Sequence, residues 1–191
     1  MPTFGSWACF HATAAAAGRR TLPFIKLLIL DVDGVLTGGE LPYDAGGNSF
    51  KSFHVQDGGA VRLWQNSGGL VAVISGRLSP AVEARARELG IEHVAQGVTD
   101  KQPAYETFLQ RAGVTDPETS VVGDDFLDIP LMRRCGYSIA VANALPLVKR
   151  SARYVTRRRG GQGAIAEAVE RLMRLNGTWS DAVRKWTSNP R

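Results

Sequence analysis

The 191-residue sequence is poor in cysteine and in long apolar runs, and each shortage excludes something. Its two cysteines, Cys9 and Cys135, belong to no CxxC pair, so no structural bridge is expected and the chain reads as one of a reducing compartment, the cytoplasm. No window approaches 18 consecutive apolar residues, which argues against a transmembrane helix and a membrane partner. The alanine-rich stretch Trp7–Gly18 has no Lys or Arg before Arg19, so it lacks the basic start of a secretory signal, and residues 1–22 read as a loose N-terminal extension. No GxxxxGK loop occurs, which leaves a kinase-like ATP site unsupported. Internal repeats are absent too.

What is present is the balance of one globular domain, with 44% hydrophobic and 21% charged residues. The net charge of +5 is unevenly spread. Residues 1–147 carry 12 basic and 15 acidic side chains, while residues 148–191 carry 11 basic and 3 acidic. The cluster Arg157-Arg158-Arg159 could face nucleic acid, membrane, an anionic metabolite or water. No aromatic residue is interleaved with it in sequence, so nucleic acid is not an expected partner.

From residue 25 onward, short apolar runs alternate with amphipathic stretches, the order of a wound parallel α/β sheet. Ile25–Leu30, Leu70–Ile74, Ser120–Val122 and Tyr137–Val141 are expected strands, with His93–Ala95 a short fifth. Ser79, ahead of Pro80, caps a helix stopped by Gly90, and Asp57 is placed as the cap of a helix reaching Trp64. Further helices are expected over Gln102–Arg111, Phe126–Cys135 and Ala164–Leu175. Residues 37–55, with turn formers at Asp44–Asn48, predict a β-hairpin beside the end of the first strand, and there is no room for a large cap domain. The domain is drawn over residues 23–178, with 179–191 an unassigned tail.

Three of these apolar runs deliver a reactive side chain at the C-terminal end, the edge where open α/β sheets bind ligands. Asp31 and Asp33 follow the first, Ser75 the second, and Asp124, Asp125 and Asp128 the third. Carboxylates gathered at one edge repel each other unless a cation joins them, and an all-oxygen set suits Mg²⁺. A magnesium-carboxylate cluster points to phosphoryl chemistry, with Lys101, Ser75 and the Gly76 N–H completing a cradle for the phosphoryl oxygens.

The constellation Asp31-Val32-Asp33-Gly34-Val35, Ile74-Ser75-Gly76-Arg77, Lys101 and Gly123-Asp124-Asp125 resembles the four motifs of the haloacid dehalogenase superfamily of phosphatases. That resemblance implies a Rossmann-like fold with Asp31 as nucleophile and Asp33 as acid and then base. It also implies Ser75 and Lys101 gripping the phosphoryl group, and Mg²⁺ held by Asp31, the Asp33 backbone carbonyl and Asp124. Asp125 and Asp128 would be supporting or alternative ligands.

Over most of residues 24–178 the likeness narrows to the branch acting on 3-deoxy-D-manno-octulosonate 8-phosphate. It is carried by Phe50-Lys51-Ser52-Phe53-His54-Val55-Gln56-Asp57-Gly58, Gly76-Arg77, Arg85, Gln96-Gly97 and Gly160-Gly161-Gln162-Gly163-Ala164. This resemblance implies lipopolysaccharide precursor synthesis and a homotetramer in which the hairpins meet. Arg77 can pair with a sugar carboxylate in bidentate fashion, Arg85 can assist it, and Lys51 can reach the sugar from the hairpin. Gln162 stands where members of the branch often carry Arg, and Ser75 where Thr is commoner. Two alternatives remain open from sequence: a nine-carbon sugar-acid phosphate as substrate, or a noncatalytic assembly module of the same fold.

Overall fold

In the computed structural model, which describes residues 23–188, the apolar run before Asp31 forms β1 (Leu27–Leu30), with all four side chains buried. Burying each such side chain is worth about 1.5–3 kcal/mol, and a strand apolar on both faces needs a helical layer on each. Around it lie β2 (Leu70–Ile74), β3 (His93–Ala95), β4 (Thr119–Gly123), β5 (Tyr137–Ala140) and β6 (Tyr154–Val155). All neighbours pair in parallel, in the order β3-β2-β1-β4-β5-β6.

This order positions the site. The chain winds outward from β1 through β2 to β3, then crosses back to β4 and winds the other way, so the switch point lies between β1 and β4. Register completes the arrangement: Leu30 sits opposite Val73 of β2 and Val122 of β4, which brings the ends of all three strands to one level. Asp31, Ser75 and Asp124 emerge there together.

The helices are α1 (Val55–Asn66), α2 (Pro80–Leu89), α3 (Gln102–Ala112), α4 (Ile129–Arg134), α5 (Pro146–Ser151), α6 (Ala164–Leu175) and α7 (Trp179–Ser188). On α6 the buried stripe is Ile165, Val169, Leu172 and Met173, and it packs against α1. Gly90 and Gly113 end α2 and α3 in the left-handed conformation. None of the described helices is long and apolar enough to cross a membrane.

The sequence expectations did not include α5 or β6, and the structure departs from them in other places too. Asp57 does not cap its own helix, whose N-cap is His54; its buried carboxylate accepts from Gly163 N at 3.2 Å and Ala166 N at 2.9 Å, capping α6 instead. Ser79 holds the N-cap position of α2 without a side-chain capping bond. The helix expected from Phe126 begins as a 3₁₀ turn, Phe126–Asp128, and becomes α-helical only at Ile129. The hairpin in 37–55 is reduced to one antiparallel bridge, Tyr43 to Ser49, closed by an Asp44 side chain that accepts from Gly46 N and Asn48 N. Residues 179–188 of the unassigned tail are the helix α7, which packs on α6. The extension 1–22, Cys9 within it and residues 189–191 lie outside the described residues.

Candidate active site

A cavity of about 320 Å³ opens at the C-terminal ends of β1, β2 and β4. Asp31, Asp33, Ser75, Gly76, Arg77, Lys101, Asp124, Asp125 and Asp128 all line it, together with Gly39, Leu41 and Leu127. Ser75 is almost fully buried, and its Oγ accepts from Arg77 N at 3.2 Å, which ties the turn after β2.

After Asp31 the backbone makes one tight turn, Val32–Leu36, closed by Thr37 N donating to Val32 O at 3.0 Å. Inside it Asp33 is extended and Gly34 has φ 90°, a conformation that favours glycine. A side chain at Gly34 is excluded a second time, since its Cβ would lie 2.1 Å from Asp124 Oδ2. On the other side, Asn143 Nδ2 donates to Gly34 O at 2.8 Å while Asn143 Oδ1 accepts from Gly160 N at 2.6 Å. A Cβ on Gly160 would stand 1.7 Å from that same Gly34 oxygen, so the glycine loop and the turn after Asp31 are in direct backbone contact. Asn143 is the residue sequence reasoning missed. Its only signal was its place just beyond β5, on the ligand-binding edge of the sheet.

Lys101, 4% exposed, donates to Asp31 Oδ1 at 2.5 Å and to Asp128 Oδ1 at 2.7 Å. The other oxygen of Asp128 accepts from the backbone N–H of Asp124 at 3.0 Å and of Asp125 at 3.2 Å. Lys51 donates to Asp33 Oδ1, so the Asp33 carboxylate is engaged by a buried ammonium. The carboxylates that converge are Asp31, Asp124 and Asp128, each offering an oxygen within 4.8 Å of the others, whereas the Asp33 side chain turns to Lys51. Arg85 does not line the cavity: it pairs with Glu88 at 2.8 Å and lies over the Phe53 ring.

The donor set fits a divalent cation. Three carboxylates against one ammonium leave two negative charges, and the buried Asp124 Oδ1 has no hydrogen-bond partner among the described residues. Burial and the neighbouring Asp128 push the Asp31 pKa up to about 7, and burial with Asp31, Asp128 and Asp125 pushes Asp124 up to about 8. Burial also works against the Lys101 ammonium, but Asp31 and Asp128 outweigh it and hold its pKa above the ordinary lysine value.

These shifts carry a sign. Asp31 and Asp124 bind protons more tightly in the folded chain than at their ordinary value of 3.8, so the metal-free protein loses stability as pH rises from about 4 to about 8. A cation that binds the ionised oxygens competes with those protons. At a hundredfold excess over its dissociation constant, Mg²⁺ is expected to raise the melting temperature by about 5–10 °C at pH 8 and by less than about 2 °C at pH 5. Equal shifts at both pH values, read by calorimetry, would contradict a carboxylate site.

Outside the cavity, Cys135 is a free, half-buried thiol that burial pushes up to a pKa of about 11.

The haloacid dehalogenase-like hydrolase family matches residues 90–169. The chain is 41% identical over 159 residues to 3-deoxy-D-manno-octulosonate 8-phosphate phosphatase of Haemophilus influenzae, which covers 83% of this chain and 88% of that protein. Identity to the enzyme of that name from Escherichia coli K12 is 41% over 158 residues, 83% of this chain and 84% of the other. Among solved structures, that of the Moraxella catarrhalis phosphatase, in complex with magnesium, phosphate and the sugar acid, superposes with a TM-score of 0.82. It is 34% identical, covering 85% of this chain and 94% of that one. The cobalt-bound Haemophilus influenzae phosphatase gives a TM-score of 0.80 at 41% identity, covering 84% and 94%.

Proposed function

The chain belongs to the haloacid dehalogenase-like phosphatases, phosphoric monoester hydrolases, and we propose that its substrate is 3-deoxy-D-manno-octulosonate 8-phosphate, cleaved to the free sugar acid and phosphate. One observation carries the reading: a single cavity gathers Asp31, Asp33, Ser75, Lys101 and Asp124 at the switch point of the sheet. The family assignment displaces the noncatalytic-module alternative.

Phosphate-monoester hydrolysis is slow enough unaided that the site must lower the barrier by about 20 kcal/mol or more. In the proposed mechanism, an Asp31 carboxylate oxygen attacks phosphorus as the bond to the sugar oxygen breaks. Asp33 gives that oxygen its proton, leaving an aspartyl-phosphate on Asp31. Asp33, now a carboxylate, takes a proton from water, whose oxygen attacks phosphorus and frees phosphate and Asp31. Ser75 Oγ, the Gly76 N–H and Lys101 hold the phosphoryl oxygens. Mg²⁺, held by Asp31, Asp124 and the Asp33 carbonyl with Asp128 alongside, would supply neutralising charge for those oxygens. Lys51 is assigned to Asp33 in preference to the sugar, in keeping with their contact.

Arg77 follows the phosphate-gripping turn and lines the cavity, where its guanidinium can take the sugar carboxylate. Phosphate release from the eight-carbon ester is expected to exceed that from a nine-carbon sugar-acid phosphate by about tenfold in kcat/KM, and Arg77→Ala is expected to raise KM about tenfold with a smaller change in kcat. A preference for the nine-carbon ester would overturn the substrate assignment while leaving the phosphatase in place. Arg85, remote from the cavity in one protomer, has a substrate role only if a second copy brings it there. The proposed homotetramer is supported by Leu41, Tyr43 and Phe50, which stand exposed on the reduced hairpin. Cytoplasmic residence is proposed on the free thiol of Cys135.

A further inference from the structure

A second cleft, of about 660 Å³, lies between α1, β6, α6 and α7 and shares no lining residue with the active-site cavity. Its walls carry Arg157, Arg158, Arg171 and Arg174 among the rings of Tyr154, Trp179 and Trp186. The aromatic residues missing beside Arg157 and Arg158 in sequence are thus supplied by the fold, two of them by α7.

Several of these side chains are held in place. Arg171 lies over the Tyr154 ring at 5.1 Å while its Nε donates to Tyr137 Oη at 3.1 Å, which leaves the two terminal nitrogens to point elsewhere. Arg174 lies over Trp179 at 5.3 Å. Arg158 is steadied by one bond, Nη1 to Gln56 Oε1 at 3.0 Å. Of the four guanidiniums only Arg174 has a carboxylate partner among the described residues, Glu170 at 2.7 Å. The other carboxylate in the cleft, Glu167, accepts from Tyr154 Oη at 2.7 Å, Arg157 N at 2.9 Å and Arg158 N at 3.0 Å, and against burial these bonds and the Arg157 charge hold its pKa below the usual value. Four guanidiniums thus face two carboxylates, a surplus of forked cations that favours phosphate, and flat rings favour a planar heterocycle. The volume suits a small ligand that offers both.

We propose that this cleft is a nucleotide-binding site, its guanidiniums taking the phosphates and its indole rings the base, separate from the phosphatase centre.

The cleft carries its own reporters, since two of the four tryptophans, Trp179 and Trp186, line it, while Trp64 is buried elsewhere and Trp7 lies outside the described residues. The full chain carrying Asp31→Asn, in chelator so that no ester turns over, would be titrated with ATP at 0.15 M salt and followed by tryptophan fluorescence. Saturable quenching with a dissociation constant of about 0.1 mM is expected, and adding Arg157→Ala and Arg171→Ala should weaken it at least about tenfold. With Asp31 intact, the same arginine pair of substitutions should leave phosphate release from the sugar ester unchanged. Tripolyphosphate should bind about fivefold or more weaker than ATP, because it lacks the ring. Absence of saturation, tripolyphosphate binding as tightly as ATP, or unaltered affinity in the arginine variant would each overturn the proposal. So would a single-stranded oligonucleotide binding more tightly than ATP, which would make the cleft a nucleic-acid surface.

Discussion

Asp31→Asn is expected to lower kcat for phosphate release by about 10⁴-fold or more, because an amide oxygen is too poor a nucleophile to form the acyl-phosphate of the proposed mechanism. The same substitution is not expected to unfold the protein. Asp31 is one of three carboxylates within 4.8 Å, and burial with Asp128 already pushes its pKa up to about 7. Removing one of the three relieves repulsion, and Lys101 keeps Asp128 at 2.7 Å. The metal-free variant is therefore expected to melt at or above the wild-type temperature at pH 8 while releasing no phosphate. Single-turnover measurements with the sugar ester would check the chemistry and calorimetry the stability. Residual activity within about a hundredfold of wild type would remove Asp31 from the nucleophile's role.

That this residue could be singled out from sequence has a physical basis. A strand covered on both faces must be apolar throughout, so the first charged residue after Leu27–Leu30 marks its end, and parallel strands place their ends together. The meeting of Asp31, Ser75 and Asp124 at one edge was legible for that reason, as was α6, whose apolar spacing admits one buried face. What could not be read were contacts between residues far apart in the chain. Asp57 precedes the glycine segment by some hundred positions, and nothing near it in sequence shows that it caps α6 rather than its own helix. Asn143 spans two backbone turns, at Gly34 and Gly160, that belong to no shared motif. The two-residue β6 is too short to leave a pattern. Residues 37–55 carry turn chemistry strong enough to close Asp44–Asn48, but local propensity does not extend pairing beyond Tyr43 and Ser49.

Asp128 marks the boundary between these cases. It was visible as an acidic residue near the edge of the sheet, yet only the fold shows its two oxygens dividing their work. One takes the Lys101 ammonium, and the other accepts the Asp124 and Asp125 N–H groups. Lys101 is thus the cation contacting both Asp31 and Asp128, and Lys101→Met keeps its packing while deleting its charge. The three carboxylates would then face each other with no ammonium among them. Losing one partner of a buried ion pair costs about 3–5 kcal/mol, and the metal-free variant should show that loss at pH 8. The loss should shrink toward pH 5, where Asp31 and Asp124, with pKa values of about 7 and about 8, take up protons and no longer need a counter-ion. Activity should fall by about 10²–10³-fold even with saturating Mg²⁺, because the cation proposed to hold the phosphoryl oxygens is gone. Urea denaturation at the two pH values, paired with phosphate release, separates the two roles. A stability loss independent of pH would mean that the Lys101 charge does not act by balancing Asp31 and Asp124, and full activity would remove it from the proposed phosphoryl cradle.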